Sequence, residues 1–220
     1  MLNISNSYPS KLIEIILTNK YVEYIEAENF MEKRVDGIIH NKESELIWLL
    51  FHPSIYTFGS SSKKNDFILK PKIPIFKTNR GGQITYHGPG QRIIYYMINL
   101  NNRKKDVRFF IGLLEKIAIE TLKEFDVIAS SNKDRIGIWV TKINKRNLNI
   151  EKKIGSIGIR LKKWVTYHGL SLNIYPNLKY FKNINPCGIK NCPVTSLEDL
   201  GIKVSIKEFD KILIEKSKKY

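Results

Sequence analysis

The chain has 220 residues, room for one hydrophobic core, and its 42% hydrophobic and 11% aromatic content excludes a globally disordered protein. Lys and Arg number 37 against 21 Asp and Glu, a net charge of +16 that points to an acidic partner; only eight are Arg, so the bidentate grip on phosphates and base edges is thinly represented. Two cysteines, Cys187 and Cys192, do not make a secreted disulfide framework and suit a reducing compartment.

Residues 1–19 lack the basic, apolar and small-residue succession of a secretory leader. A first strand is expected around residues 12–17. Tyr24, Ala27, Met31, Val35 and Ile38 then recur at spacings of three and four, which predicts a helix with one buried face, while Glu26, Glu28, Glu32 and Lys33 face water. Leu46–Phe51 is apolar throughout and reads as a strand buried on both faces, closed by Pro53 and far too short to span a bilayer. Residues 59–74, with Ser60, Ser61, Ser62, Lys63, Lys64 and Asn65, read as a polar loop leading to a short strand at Ile75–Lys77. Asp106 is placed to cap a second helix through Val107, Phe110, Leu114, Ile117, Thr121 and Phe125. Residues 136–143 and 153–161 read as a hairpin joined by a basic connection at 144–152, and 165–174 as a further strand. Thr195 with Glu198 and Ser205 with Glu208 match capping boxes, so two helices are expected near the end, separated at Gly201. Without strict βα alternation, these elements predict an α/β fold of the α+β type, a mixed, largely antiparallel sheet flanked by helices, in one domain over 1–220.

Three segments concentrate chemistry. Arg80-Gly81-Gly82-Gln83-Ile84-Thr85-Tyr86-His87-Gly88-Pro89-Gly90-Gln91 holds four of the 13 glycines and reads as a binding loop or as ordinary turns bracketing a short strand. It lacks the spacing of a dinucleotide fingerprint, and no GxxxxGK[ST] sequence occurs. The second is Lys153-Ile154-Gly155-Ser156-Ile157-Gly158-Ile159-Arg160 with Tyr167-His168-Gly169-Leu170-Ser171-Leu172-Asn173, neither of which contains the GxSxG of a serine hydrolase. There is no CxxC pair and no HExxH, so no metal site is predicted. In the third, Ile184-Asn185-Pro186-Cys187-Gly188, proline fixes its own φ and glycine admits a left-handed turn, which places Cys187 on a sharp corner. There it is either an exposed nucleophile or a small buried hydrophobe. A thiol that reacts near neutral pH needs a neighbouring cation, and Lys153, Arg160, His87 and His168 are the candidates.

Together and in this order, these motifs closely resemble the lipoyl(octanoyl) transferases over residues 48–200. The resemblance implies a fold similar to the catalytic domain of biotin and lipoate protein ligases. It implies a reaction in which an octanoyl (or lipoyl) group leaves its thioester on acyl carrier protein and ends as an amide on a lysine of a lipoyl domain, in the E2 subunits of 2-oxoacid dehydrogenases or the H protein of glycine cleavage. Cys187 becomes the acyl-accepting nucleophile, and Lys153 the residue that favours its thiolate and moves protons. Arg80, Gly81, Gly82, Gln83, Ile84, Thr85, Tyr86, His87, Ser156, Ile157, Gly158, Gly169, Leu170 and Ser171 become the acyl-binding residues, with Ile84, Tyr86 and Leu170 expected along an apolar tunnel. The resemblance further implies no cofactor, neither ATP nor metal, no nucleic-acid or membrane partner, and a cytoplasmic monomer. The positive charge then attracts the acidic carrier protein, an encounter that slows with added salt. Two features depart from the pattern. Gly155 stands where a small side chain is expected, and 142–152 is longer and more basic than a minimal hairpin, either a solvated loop or a contact for the carrier protein. The alternatives are an ATP-dependent ligase of the same fold, which has no use for Cys187, and a basic nucleic-acid-binding module.

Overall fold

The three-four spacing at the start of the chain forms helix α1 (Tyr24–Ile39), which buries Tyr24, Ala27, Met31, Val35 and Ile38 along one face. The computed structural model describes residues 13–63, 66–69, 71–132, 135–144 and 146–219; the expected strand start at Leu12 and Lys64 and Asn65 of the polar loop lie outside them. In chain order around α1 come β1 (Glu14–Tyr21), β2 (Leu46–Phe51), β3 (Ile55–Phe58), β4 (Ile75–Lys77), β5 (Thr85–His87), β6 (Gln91–Met97), α2 (Val107–Lys123), β7 (Val127–Asn132), β8 (Arg135–Ile143), β9 (Arg146–Lys162), β10 (Val165–Asn173) and α3 (Ile206–Ser217). A seven-stranded sheet runs β1-β2-β6-β10-β9-β8-β7, parallel only between β1 and β2, and a small sheet runs β4-β3-β5. The architecture is the mixed, largely antiparallel sheet flanked by helices that the element pattern predicts.

The continuous apolar run of β2 follows from cover on both faces. Leu46, Trp48 and Leu50 pack with α1, whereas Ile47 and Leu49 join the core formed with α2 and α3, including Leu114, Ile117, Phe209 and Leu213. Burying each such Leu, Ile or Met contributes about 1.5–3 kcal/mol. Asp106 caps α2 by accepting from the Phe109 amide at 3.0 Å, and Ser205 caps α3 by accepting from the Glu208 amide at 3.2 Å.

Two expectations are corrected. Residues 146–152 are strand, not a loop: β9 pairs with β8 as far as Ile143↔Arg146, and the reversal is made at Asn144, in the left-handed region at φ 47°. The basic residues there decorate a hairpin arm in which polar Asn147 and Asn149 alternate with Leu148 and Ile150. The capping pattern at Thr195 starts no helix. Ser196 Oγ takes the Asp199 amide at 3.1 Å, the Thr195 hydroxyl donates to the Asp199 carboxylate at 2.7 Å, and the chain turns at once on Gly201, φ 77°, with Ile202 N–H on Leu197 O. The sequence pattern also passes over β3, β6 and β7. In β6 the opening residues are polar, and their burial rests on distant partners: Arg92 on Asp210 and Gln91 on Asn173.

Candidate active site

Strand pairing assembles the separated motifs. β9 and β10 lie side by side in the register Ser156↔Ser171, Ile157↔Leu170 and Gly158↔Gly169, which makes one wall. The glycine-rich segment leans on that wall through Gly81 N–H donating to Ile159 O at 3.1 Å. Past the cysteine corner, the chain returns alongside Lys153: its amide donates to Pro193 O at 2.7 Å and its carbonyl accepts from Thr195 N–H at 2.9 Å. These elements enclose a cavity of about 390 Å³, within the range of small-molecule sites.

All the sequence-predicted site residues line that cavity except Tyr86. Alternation along β5 points Thr85 and His87 inward, and Tyr86 lies on the other side, stacked on Tyr180 at 4.7 Å and bonded to Ser54 Oγ at 3.1 Å. Tyr86 is therefore a core residue of the small sheet. Residues that sequence reasoning missed complete the lining, among them Tyr24, Ile93, Tyr95, Ile111, Ile136, Ile159 and Ile189. Helical or strand periodicity marks several of these as apolar positions, and nothing in it distinguishes cavity from core. Gly155 keeps Ser156 in register, and a Cβ there would fall 2.8 Å from Leu172 Cδ2, so the packing matches the glycine this chain carries.

Cys187 sits at the cavity mouth, half-buried, on the corner expected from its flanking residues, and it adopts φ 58° itself before Gly188 at φ 67°. A left-handed L-residue costs about 1–2 kcal/mol, and such strain gathers at functional sites. Lys153 Nζ, on a side chain only 3% exposed, is in direct contact with Cys187 Sγ. Both groups reach the Ile136 carbonyl at 3.5 Å, and the ammonium lies 5.9 Å from the centroid of the Trp139 ring. Of the other candidate cations, Arg160 is exposed and outside the cavity lining. His168 is pushed down to about 3 by burial and by the positive Arg80, and His87 well below its usual value by burial, with His52 and Arg80 adding to it. Both imidazoles are thus neutral near pH 7. The second thiol, Cys192, is pushed up to about 11, chiefly by burial, and stays protonated there.

Two further features shape the site. Arg80 is buried, its guanidinium donating to Thr57 Oγ1 and O and to Gly81 O, all neutral acceptors. His87 Nδ1 meets Gln91 Oε1 at 2.7 Å, Gln91 Nε2 donates to Asn173 Oδ1 at 2.8 Å, and Asn173 Nδ2 donates to Thr195 O at 2.9 Å. The terminal carbonyl can only accept, so the direction of every bond is set and His87 Nδ1 carries the proton. Its Nε2 is then a lone pair.

Gly137, in β8, is what lets Lys153 reach the thiol. A Cβ at Gly137 would stand 2.8 Å from Lys153 Cε and 3.1 Å from Nζ, and its φ of 137° disfavours any side chain. Gly137→Ala is expected to displace the ammonium and slow Cys187 alkylation by iodoacetamide at pH 7 by about tenfold. An unchanged alkylation rate in a folded variant would contradict this.

The buried histidines also set an acid limit on stability. Burial holds His52 at about 4 and His168 at about 3, and His87 is lowered as well; the unfolded chain protonates all three near 6.5. Below 6.5 the unfolded state binds more protons, so stability is fully present above that pH and is lost as pH falls toward 4. Each histidine contributes up to about 1.4 kcal/mol per pH unit. The urea midpoint is expected to drop steeply between pH 6.5 and 4.5; a flat midpoint there would refute it.

The lipoyl protein ligase A/B catalytic-domain model matches residues 23–218. Among solved structures, a lipoate protein ligase from T. acidophilum with bound lipoic acid superposes with a TM-score of 0.64 at 15% identity, covering 94% of this chain and 84% of that one. A lipoate-protein ligase A bound with ATP gives 0.65 at 15%, covering 94% and 85%. The chain belongs to the lipoyl protein ligase A/B catalytic-domain family. Octanoyltransferases of Wolbachia pipientis subsp. Culex pipiens (strain wPip) and Bartonella bacilliformis are 47% and 42% identical to it, covering 92% and 96% of this chain and 96% and 89% of theirs. Within the family it is accordingly a transferase of the lipoyl(octanoyl) transferase group.

Proposed function

We propose that this enzyme moves an octanoyl (or lipoyl) group from acyl carrier protein to a specific lysine of lipoyl domains, through a thioester on Cys187, as the first step of endogenous protein lipoylation. The contact between the buried Lys153 ammonium and the Cys187 thiol at the cavity mouth carries the reading. An ammonium beside sulfur favours the thiolate, the form that attacks a thioester carbonyl. The tetrahedral intermediate then expels the carrier's thiolate, which takes a proton from Lys153. In the second half the lysine amine of the acceptor attacks the acyl-cysteine and Cys187 leaves as thiolate, while the neutral Lys153 takes up the proton shed by the amine. Thioester exchange is nearly balanced in free energy, so neither ATP nor a metal enters these steps. Ile157, Ile159 and Leu170, which share one face of β9 and β10 in the cavity lining, offer an apolar surface for the chain of methylenes. The proposed acceptors are the lipoyl domains of 2-oxoacid dehydrogenase E2 subunits and the glycine cleavage H protein, met by a monomeric single-domain enzyme in the reducing cytoplasm, where both cysteines are free.

The test is the intact mass of the purified protein after incubation with octanoyl carrier protein without ATP. A single octanoyl adduct is expected, absent in Cys187→Ala and retained in Cys192→Ala. No adduct on the wild type removes the transferase mechanism in favour of ATP-dependent activation, and the reverse pattern in the two variants assigns the acyl group to the other sulfur.

A further inference from the structure

The inner end of the cavity is more polar than a channel for methylenes requires. Exposure falls from the mouth, where Ile136 is 48% exposed, to an inner end formed by Thr85, His87, Tyr95 and His168, each under a tenth exposed. Two side-chain atoms here, His168 Nε2 and Thr85 Oγ1, are buried without a hydrogen-bond partner among the described residues. His87 Nε2 adds a lone pair, by the proton assignment derived above from the chain that ends on Thr195 O.

The backbone takes an unusual path to bring His168 here. Successive side chains of a regular strand point to opposite faces. The rings of Tyr167 and His168 nevertheless stack with centroids 5.0 Å apart, and His168 holds φ 60° inside β10. Its left-handed conformation turns the imidazole onto the side of the sheet that carries Tyr95, whose ring it meets at 5.9 Å. Re-aiming a side chain beside an active site is a recognised use of such irregular strands.

We propose that this inner end is a subsite for an uncharged hydrogen-bonding group, so that the enzyme binds eight-carbon acyl chains bearing a hydroxyl at the far end about as well as plain ones. The chain length rests on the acyl-transfer reading above; the polarity of the subsite rests on the atoms named here. A hydroxyl has one proton and two lone pairs. It can donate to His87 Nε2 and accept from Thr85 Oγ1–H. The buried Arg80 guanidinium in the same wall disfavours an ammonium, and the fixed lone pair of His87 disfavours a carboxylate.

The experiment is calorimetric titration of the wild-type protein with octanoic acid and with 8-hydroxyoctanoic acid. The hydroxy acid is expected to bind within about threefold of octanoic acid, whereas a wholly apolar channel would weaken it by about thirtyfold or more. His168→Phe keeps the ring and its stacking partner, and Thr85→Val keeps the shape. Each is expected to shift the ratio of the two affinities toward octanoic acid by about tenfold, and if one variant fails to fold the other carries the comparison. A thirtyfold penalty in the wild type, an unchanged ratio in the variants, or no binding of either acid overturns the subsite. Binding of free acids is read without carrier protein or turnover, so its failure and failure of the Cys187 adduct are separate results.

Discussion

Lys153→Met is expected to slow formation of the octanoyl adduct on Cys187 by at least about a hundredfold at pH 7, with the fold retained. Methionine preserves most of the apolar stem and leaves the packing against Trp139 in place, so what the change removes is the charge in contact with sulfur. Lys153 itself is buried, so solvent screens that charge little, and the two neutral imidazoles nearby cannot replace it. Single-turnover acylation followed by mass, with the iodoacetamide rate of Cys187 measured from pH 6 to 9, checks the prediction. Alkylation of the variant should slow, because sulfur loses the positive charge in contact with it. If acylation collapses while alkylation is unchanged, Lys153 acts in proton transfer to the leaving thiol. If neither changes, it has no part in the chemistry.

The second large effect concerns stability. Asp210→Ala is expected to cost about 3–5 kcal/mol, read from urea unfolding, because it strands Arg92 with a fully buried guanidinium. Arg92 donates from Nε and Nη2 to the two Asp210 oxygens at 2.9 and 2.7 Å, and from Nη1 to Thr18 O at 3.0 Å, so α3, β6 and β1 meet at one charge. Burial nevertheless raises the Asp210 carboxyl above the usual carboxylate value and lowers Arg92, the directions expected where desolvation opposes the attraction. With its folded value above its unfolded one, Asp210 adds no stability as pH rises through the carboxylate range. Arg92→Met combined with Asp210→Leu is therefore expected to recover most of the loss. A double variant as unstable as Asp210→Ala would show that the pair stabilises in its own right.

Much of the scaffold is legible in local pattern. The five buried positions of α1, the doubly buried β2 and the caps Asp106 and Ser205 each depend on residues within one or two turns of each other, so spacing and side-chain type suffice. Where the pattern misleads, a distant group is responsible. The polar beginning of β6 is a strand only because Asp210 and Asn173 receive it, and Thr195 forms no helix because Lys153 and Asn173 hold its backbone. Of the basic connection expected at 144–152, residues 146–152 are strand because their weak alternation finds a partner in β8.

The site divides along the same line. By itself the sequence determined the ordered motifs, the corner that carries Cys187 and four cations that could serve it, since all of these are matters of residue type and near-neighbour geometry. Only the tertiary structure decided among the cations, because contact and charge state depend on packing. The register of β9 and the returning residues 193–195 bring Lys153 against a thiol 34 residues away, burial strips His87 and His168 of their charge, and Arg160 stays at the surface. Tyr86 was likewise turned from tunnel to core by the two-residue period of β5, and the left-handed His168 became visible only once its ring was found beside that of Tyr167. Desolvation and side-chain direction belong to the packed chain, and no spacing along it records them.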